Sequence, residues 1–181
     1  MIKIGKILVP TDFSKASLSA IRYALSLARD HDAAVIVCHV VSPEVWRDRV
    51  LEDYYIGSGW VSEVRAPAVD ELLCDKGQEL RRFFAGTIEP ELLKGAKIIP
   101  VIRLGKVVEE IVAAAKETNC DLIVMTSTER SWLGRLFSMS LTQEVVRLAP
   151  CPVLSIQPWA RISTERGERI SIKQLQLAGV V

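Results

Sequence analysis

An aspartate, Asp12, stands in the short polar loop 11–14 that follows the first apolar segment of the chain. Its carboxylate could hydrogen-bond the hydroxyls of a ribose, accept a phosphoryl group or bind a metal ion. A phospho-acceptor or metal site needs further acidic residues, but this loop holds no second one and no aspartate ends the apolar segment 97–103. Two interpretations of Asp12 remain: it contacts a ribose, or it caps the helix that follows.

The histidines, glycines and cysteines lack the spacings of common catalytic and metal sites. His31 and His39 have no partners in a Ser-His-Asp or Cys-His arrangement, and His39 lies in an apolar segment, where a hydrogen-bonded core histidine is the commoner role. No GxSxG, GxGxxG or Walker A pattern is present. The cysteines show no CxxC pair and are predicted to be buried reduced thiols: Cys38, Cys74, Cys120 and Cys151. The sequence therefore predicts no catalytic residue, no metal site and no enzymatic activity.

Length and composition favour one globular domain. The chain has 181 residues, of which 49% are hydrophobic, enough for one sizeable core. Its formal net charge of +1 gives no reason to expect a nucleic acid or an anionic membrane as partner. No apolar stretch approaches the roughly 18 residues of a membrane span. We expect a cytoplasmic protein.

Apolar segments of two kinds alternate along the chain. Short segments rich in branched residues are typical of strands buried in a parallel sheet: 6–10, 33–41, 97–103, 121–126 and 152–156. Helical spacing predicts helices between them: one from Ser14 as N-cap through Ala28, then 69–84, 108–115 and 140–148. This order predicts an α/β fold, a doubly wound five-stranded parallel sheet with helices on both faces. Pro100 places its strand at a sheet edge.

Ligands of open parallel sheets bind beyond the carboxyl ends of the strands, where the strand order reverses. If the order is 3-2-1-4-5, that point lies between the first and fourth strands. The loops concerned are 11–14 and 125–139, with Val40 and Val41 beside them. We therefore expect a site there.

Several motifs together closely resemble the universal stress protein family, in the family's order and without large gaps over residues 4–157. They are ILVPTDFS at 7–14, CHVV at 38–41, LG at 104–105, DLIVM at 121–125 and VVRLAPCPVL at 145–154. The resemblance implies strand order 3-2-1-4-5 in an adenine nucleotide alpha hydrolase-like fold. It also implies a family domain over 1–157, a C-terminal extension over 158–181 and a homodimer paired through strand 153–156.

The glycine motif of ATP-binding family members is eroded here. In those members a loop after strand four carries G-x-x-G, nine residues, then G-S or G-T, and its backbone amides hold the phosphates. Thr126, Glu129 and Met139 stand at the glycine positions, and only Ser140 matches. Met139 would put a long side chain where phosphate approaches the backbone. Glu129 would repel a triphosphate by on the order of 1–4 kcal/mol per unit charge.

The adenosine half of such a site is better preserved than the phosphate half. Asp12 and Val40 match family positions that contact the ribose and the adenine, and Arg130 and Arg135 could offset phosphate charge. The resemblance thus implies a candidate adenine-nucleotide crevice formed by Pro10, Thr11, Asp12, Val40, Thr126, Glu129, Arg130, Met139, Ser140 and Leu141.

Two functions follow from the resemblance. The first is a homodimeric regulatory or binding module in the stress response, which requires no cofactor, does not depend on ATP and acts on an unidentified client or signalling protein. The alternative is a switch that binds ATP or AMP, with at most slow hydrolysis. Two further segments keep two interpretations each. Segment 46–60 covers the core, or it closes over a ligand or a partner surface. Segment 158–181 is a frayed terminus, or an arm that adds a strand to the same or another subunit.

Overall fold

The computed structural model of the chain describes residues 3–43, 65–127 and 141–157, with the side chains of the second range described from residue 71. Its strands are β1 (Lys6–Thr11), β2 (Ala34–Val41), β3 (Lys97–Leu104), β4 (Leu122–Thr126) and β5 (Val153–Ile156). Its helices are α1 (Lys15–His31), α2 (Arg65–Thr87), α3 (Pro90–Leu93), α4 (Val107–Thr118) and α5 (Leu141–Leu148). Within these ranges, none of the helices is long and apolar enough to span a membrane.

All five strands form one parallel sheet in the order β3-β2-β1-β4-β5. The predicted fold class and strand order are therefore confirmed. Pro100 of β3 pairs with Val37 of β2. β3 lies at one edge of this sheet, as the proline predicts. β5 forms the opposite edge.

Helices cover both faces because successive strand residues point to opposite sides of the sheet. Ile7 and Val9 of β1 belong to a buried cluster with Ile21 and Leu25 of α1. Leu8, between them in sequence, is fully buried in a second cluster on the other face, which includes residues of α4 and α5. The doubly wound arrangement thus follows from alternation within continuously apolar strands.

Two details of the helices differ from the sequence predictions. α2 runs from Arg65 to Thr87, several residues longer than 69–84, and α3 was not predicted. A single turn such as α3 is too short to show helical periodicity, although Pro90 at its first position is a typical start. His31, predicted in a connection, is the last residue of α1.

The prediction that all four cysteines are buried is confirmed for two of them only. Cys38 and Cys120 are buried and Cys151 is half-buried, but Cys74 is exposed. Cys74 lies on α2, whose core contacts are made by Leu72 and Leu80. Sequence spacing did not reveal which face of α2 turns to solvent.

Asp121 ties the start of β4 to the start of β1. Its Oδ2 accepts hydrogen bonds from the backbone N–H groups of Gly5 (2.8 Å) and Lys6 (2.9 Å), and its own N–H donates to the carbonyl of Lys6 (2.9 Å). The bonds from Gly5 and Lys6 hold the pKa of Asp121 below its ordinary value of 3.8. The carboxylate therefore stabilises the fold above about pH 3.8, and this contribution is lost as the pH falls through the lowered pKa.

We expect Asp121→Asn to lower the free energy of unfolding at pH 7 by roughly 1 kcal/mol, since it weakens two charge-assisted bonds at an exposed site. The difference from wild type should shrink towards pH 3. Urea denaturation at both pH values measures this. Asp30→Asn, on the exposed end of α1, is the control and should change little. An equal loss at both pH values would contradict the assignment.

Candidate functional site

The order of the strands reverses between β1 and β4, which is the point where the sequence predicts a site. β1 pairs with β2 along its whole length, from Lys6 with Ala34 to Thr11 with His39. Its pairing with β4, in the described sheet, consists of Ile7 with Leu122 and Leu8 with Ile123. Pro10, further along β1, brings no backbone N–H to a ladder. The described ladder between β1 and β4 thus involves only the start of β1, and we call the region beyond the carboxyl ends of these two strands the β1–β4 crevice.

The loop after β1 is held in one conformation by its own side chains. Thr11 is buried, its hydroxyl lies 2.9 Å from that of Ser17, and it accepts a hydrogen bond from the N–H of Phe13 (3.1 Å). Phe13 has φ of 61°, a left-handed conformation that costs a non-glycine residue roughly 1–2 kcal/mol. Its ring packs against Phe83 of α2, with centroids 5.6 Å apart. These contacts offset the strain and fix the edge of the crevice.

Asp12 is exposed at this edge and does not cap α1. Its Oδ1 accepts a hydrogen bond from the N–H of Ser14 (3.0 Å), while Ser14 is the cap and accepts from the N–H of Ser17 (3.1 Å). Partial burial raises the pKa of Asp12, but the hydrogen bonds from Ser14 and Ser17 outweigh it and leave the pKa below 3.8. The structure therefore presents an ionised, oriented carboxylate beside the crevice. The capping interpretation of Asp12 is wrong.

His39, at the end of β2, supports the same loop. Its Nδ1 lies 2.8 Å from the carbonyl oxygen of Thr11, and because a carbonyl accepts, this nitrogen carries the proton. The imidazole packs against the Phe13 ring with centroids 4.2 Å apart. Burial lowers the pKa of His39, and the positive charge of Lys76 on α2 lowers it further. The interpretation of His39 as a hydrogen-bonded core residue agrees with these contacts.

The lowered pKa of His39 makes stability depend on pH. The unfolded chain takes up this proton near pH 6.5 and the folded chain only at lower pH, so stability is full above about 6.5 and falls as the pH decreases. We expect the free energy of unfolding to decrease between pH 7.5 and 5.5, and His39→Asn to remove part of that decrease. Denaturation of wild type, His39→Asn and the control His31→Asn, at an exposed position, measures this. If His31→Asn reduced the pH dependence as much as His39→Asn, the assignment of this dependence to His39 would be wrong.

The other wall of the crevice begins at the end of β4. Thr126 is half-buried, and its carbonyl accepts a hydrogen bond from the hydroxyl of Thr142 (3.3 Å) near the start of α5. Ser127 donates its N–H to the carbonyl of Ile156 (2.9 Å). These bonds tie the exit of β4 to α5 and β5. Leu141, the first residue of α5, is exposed.

The predicted phosphate loop falls outside the described residues. Glu129, Arg130, Met139 and Ser140 lie in segment 128–140, so their placement stays a prediction. The segments 46–60 and 158–181 also lie outside the described residues. Six of the ten residues predicted for the crevice lie within the described ranges: Pro10, Thr11, Asp12, Val40, Thr126 and Leu141.

Gly105, which follows β3, is hydrogen-bonded to the end of β2 beside Val40. Val40 is half-buried near the end of β2, and the N–H of Gly105 donates to the carbonyl of Val41 (3.1 Å). Gly105 has φ of 154°, and a Cβ there would lie 2.7 Å from an oxygen of Glu110. The 104–105 pair, noted from the resemblance alone, therefore has a backbone role in joining β2 to α4.

Sequence reasoning missed the assembly of Phe13, His39 and Lys76. The Lys76 ammonium lies 5.9 Å from the centroid of the Phe13 ring, so the loop after β1 contacts both β2 and α2. The parallel register of β1 and β2 could have indicated the proximity of His39 to Thr11. The spacing of α2 gave no comparable signal for Lys76. In the described parts of the chain, no three His, Cys, Asp or Glu residues form a group that could hold a metal ion.

The comparisons with known proteins agree with this fold. The sequence model of the universal stress protein family matches residues 3–157, and the chain belongs to this family. Universal stress protein MJ0531 of Methanocaldococcus jannaschii is 33% identical over 154 residues, which cover 84% of this chain and 81% of that protein. Universal stress protein YxiE of Bacillus subtilis is 28% identical over 153 residues, with 84% and 99% covered.

Solved structures show the same architecture. Universal stress protein UspA from Lactobacillus plantarum is 27% identical with a TM-score of 0.56, covering 87% of this chain and 100% of that one. A universal stress protein in complex with cAMP is 22% identical with a TM-score of 0.61, covering 87% and 99%. At 22% identity this second likeness concerns the fold alone.

Proposed function

We propose that this chain is a regulatory binding module of the universal stress response that acts on another protein, does not depend on ATP and has no catalytic role. Family membership supports the stress-response role at the level of the family. The observation that carries ATP independence is the replacement of the family's phosphate-binding glycines by Thr126, Glu129 and Met139. Cytoplasmic location and the identity of the client protein stay predictions.

The described end of β4 is consistent with this loss of phosphate binding. Thr126 occupies the first glycine position as the last residue of a regular strand, and its carbonyl is engaged by the hydroxyl of Thr142. A residue with a branched side chain in extended backbone cannot supply the sharp, Cβ-free turn that cradles phosphate oxygens. The threonine at the first glycine position therefore supports the proposal that this loop does not hold phosphate.

Nucleotide content of the purified protein tests ATP independence. Protein purified without added nucleotide is denatured, and the released small molecules are quantified by chromatography. We expect less than one ATP per ten chains. One ATP per chain, retained through purification, would contradict the proposal.

The alternative function, an adenine-nucleotide switch, is favoured by one specific observation. The loop after β1 presents the ionised Asp12 carboxylate, and the neighbouring Thr11 carbonyl is held by His39. A fixed carboxylate suits the hydroxyls of a ribose, and the solved universal stress protein in complex with cAMP supports an adenine nucleotide as the ligand to test. If AMP binds here, Asp12→Asn should weaken its affinity about tenfold or more. Asp30→Asn is the matched control.

We also propose that two chains pair through β5. This strand is an edge of the described sheet, it lacks proline and charged residues, and Val153 and Leu154 are half-buried. α5 adds two exposed hydrophobic residues, Val146 and Leu148. An open apolar edge strand promotes aggregation unless another strand covers it. A second copy of β5 would supply that cover.

Light scattering at micromolar concentration should return twice the 20.1 kDa of the chain. Leu154→Lys should reduce this to the monomer mass, because it puts a charge on the paired edge. The matched control is Ile99→Lys on the opposite edge strand, β3, which should stay dimeric. A wild-type monomer, or a dimer lost in the control alone, would contradict pairing through β5.

A further inference from the structure

Two cysteines meet at the amino ends of β4 and β5, away from the β1–β4 crevice. Cys120 and Cys151 each stand two residues before their strand, Leu122–Thr126 and Val153–Ile156. β4 and β5 are neighbouring parallel strands, so their preceding residues lie side by side. The two sulfur atoms are 3.5 Å apart, which is van der Waals contact.

The backbone around this pair is anchored. The N–H of Cys120 donates to the carbonyl of Ala115 (3.2 Å) at the end of α4, and the N–H of Ile123 donates to the carbonyl of Pro152 (3.0 Å). A disulfide bond is about 2.05 Å long, so the sulfurs at 3.5 Å must approach by about 1.5 Å. We expect rotation of the two side chains to supply this movement, with the sheet left as it is.

The two thiols differ in their access to solvent. Cys120 is 7% exposed, and burial, followed by the contact with Cys151, raises the pKa of Cys120 to about 12. Cys151 is half-buried and so more exposed than Cys120. A redox-sensing cysteine is typically accessible to solvent and often stands next to a second cysteine that resolves it, and Cys151 and Cys120 match these two features of position.

We propose that Cys120 and Cys151 form a modification site, a dithiol that a peroxide converts to an intramolecular disulfide. The Cys151 sulfur attacks one peroxide oxygen, an S–O bond forms, the O–O bond breaks, and the leaving hydroxide takes the thiol proton to give water. The Cys120 sulfur then attacks the Cys151 sulfur, the S–S bond forms, the S–O bond breaks, and a second water leaves with the Cys120 proton. Two thiols are oxidised by two electrons and one peroxide is reduced to two waters.

The bond would join the amino ends of β4 and β5 and enclose the chain between them, which contains β4, segment 128–140 and α5. Closing such a loop stabilises the fold because it restricts the unfolded chain. Disulfides in a reducing compartment are mostly transient and redox-sensing. The proposal is independent of nucleotide binding, since the pair lies at the opposite end of the strands from the crevice.

Thiol counting after hydrogen peroxide treatment tests the site. The reduced full-length protein is exposed to peroxide, denatured, alkylated and weighed by mass spectrometry. We expect four alkyl groups before treatment, two after it and four again after dithiothreitol. Peptide mapping should show Cys120 joined to Cys151. The urea midpoint of the oxidised protein should rise.

Alanine variants locate the bond. Cys151→Ala and Cys120→Ala should prevent the loss of two thiols and the rise in the urea midpoint. The matched control Cys74→Ala, at the exposed cysteine of α2, should still lose two. Cys151 is half-buried, so its variant keeps the test valid if Cys120→Ala does not fold. Four thiols after peroxide, a bond between chains or a bond to Cys74 would overturn the proposal.

Discussion

Ile123→Ala is expected to lower the free energy of unfolding by roughly 2–5 kcal/mol. Ile123 is fully buried on β4, where it pairs with Leu8 of β1 and Val153 of β5. Truncation removes buried methylene groups and leaves a cavity between strands and helices that cannot close without shifting the sheet. We therefore expect one of the largest single-residue losses in the domain at this position.

Ile99→Ala is the matched control for that prediction. It makes the same chemical change on a strand, but Ile99 lies on the edge strand β3 and is 45% exposed. Its loss should be about 1 kcal/mol or less. Urea denaturation of both variants, followed by circular dichroism, gives the two values. Equal losses would contradict the placement of β4 between β1 and β5 and of β3 at the edge of the sheet.

Glu129→Gly combined with Met139→Gly is expected to raise ATP affinity at least about tenfold. The two changes restore the second and third glycines that the family resemblance assigns to the phosphate loop. Removal of the carboxylate relieves repulsion of on the order of 1–4 kcal/mol per unit charge, and removal of Cβ lets phosphate oxygens approach the backbone amides. Titration calorimetry of wild type and the double variant measures the change.

Two controls separate charge from shape in that experiment. Glu129→Gln removes the negative charge but keeps a side chain, so it should recover part of the gain. AMP has fewer phosphate charges than ATP, so its affinity should change less than that of ATP in the double variant. If ATP affinity does not change in either variant, the glycine positions are not what limits ATP binding, and the argument from the eroded motif is wrong.

The sheet could be predicted from sequence because its strands are continuously apolar and punctuated by helices with clear spacing. β1, β2 and β4 gave unmistakable runs of branched residues, and Pro100 indicated the edge position of β3. α3 could not be predicted, because a single turn is too short to show helical periodicity. The solvent exposure of Cys74 could not be predicted either, because polar and apolar residues are mixed around it on α2. Local sequence patterns thus predict strands and helices better than they predict which side of a helix faces the core.

The candidate site could be predicted in part. The strand order on which the switch-point rule depends is confirmed, while the crevice itself stays a prediction. Asp12 of loop 11–14 has a carboxylate held by Ser14 and a pKa below its ordinary value. The support that His39 and Lys76 give to this loop depends on strand register and helix packing, which residue spacing does not encode. The contact between Cys120 and Cys151 also depends on strand pairing, since 31 positions separate the two residues along the chain.

Calorimetric titration of nucleotide-stripped protein with ATP and with AMP, each with and without magnesium, tests the central claim most directly. A module that does not depend on ATP should show no ATP binding tighter than about 10 μM, which corresponds to about 7 kcal/mol. AMP bound as well as or better than ATP would agree with a crevice that keeps its adenosine half alone. ATP binding tighter than about 10 μM and stronger than AMP binding would contradict the account and establish the nucleotide switch instead.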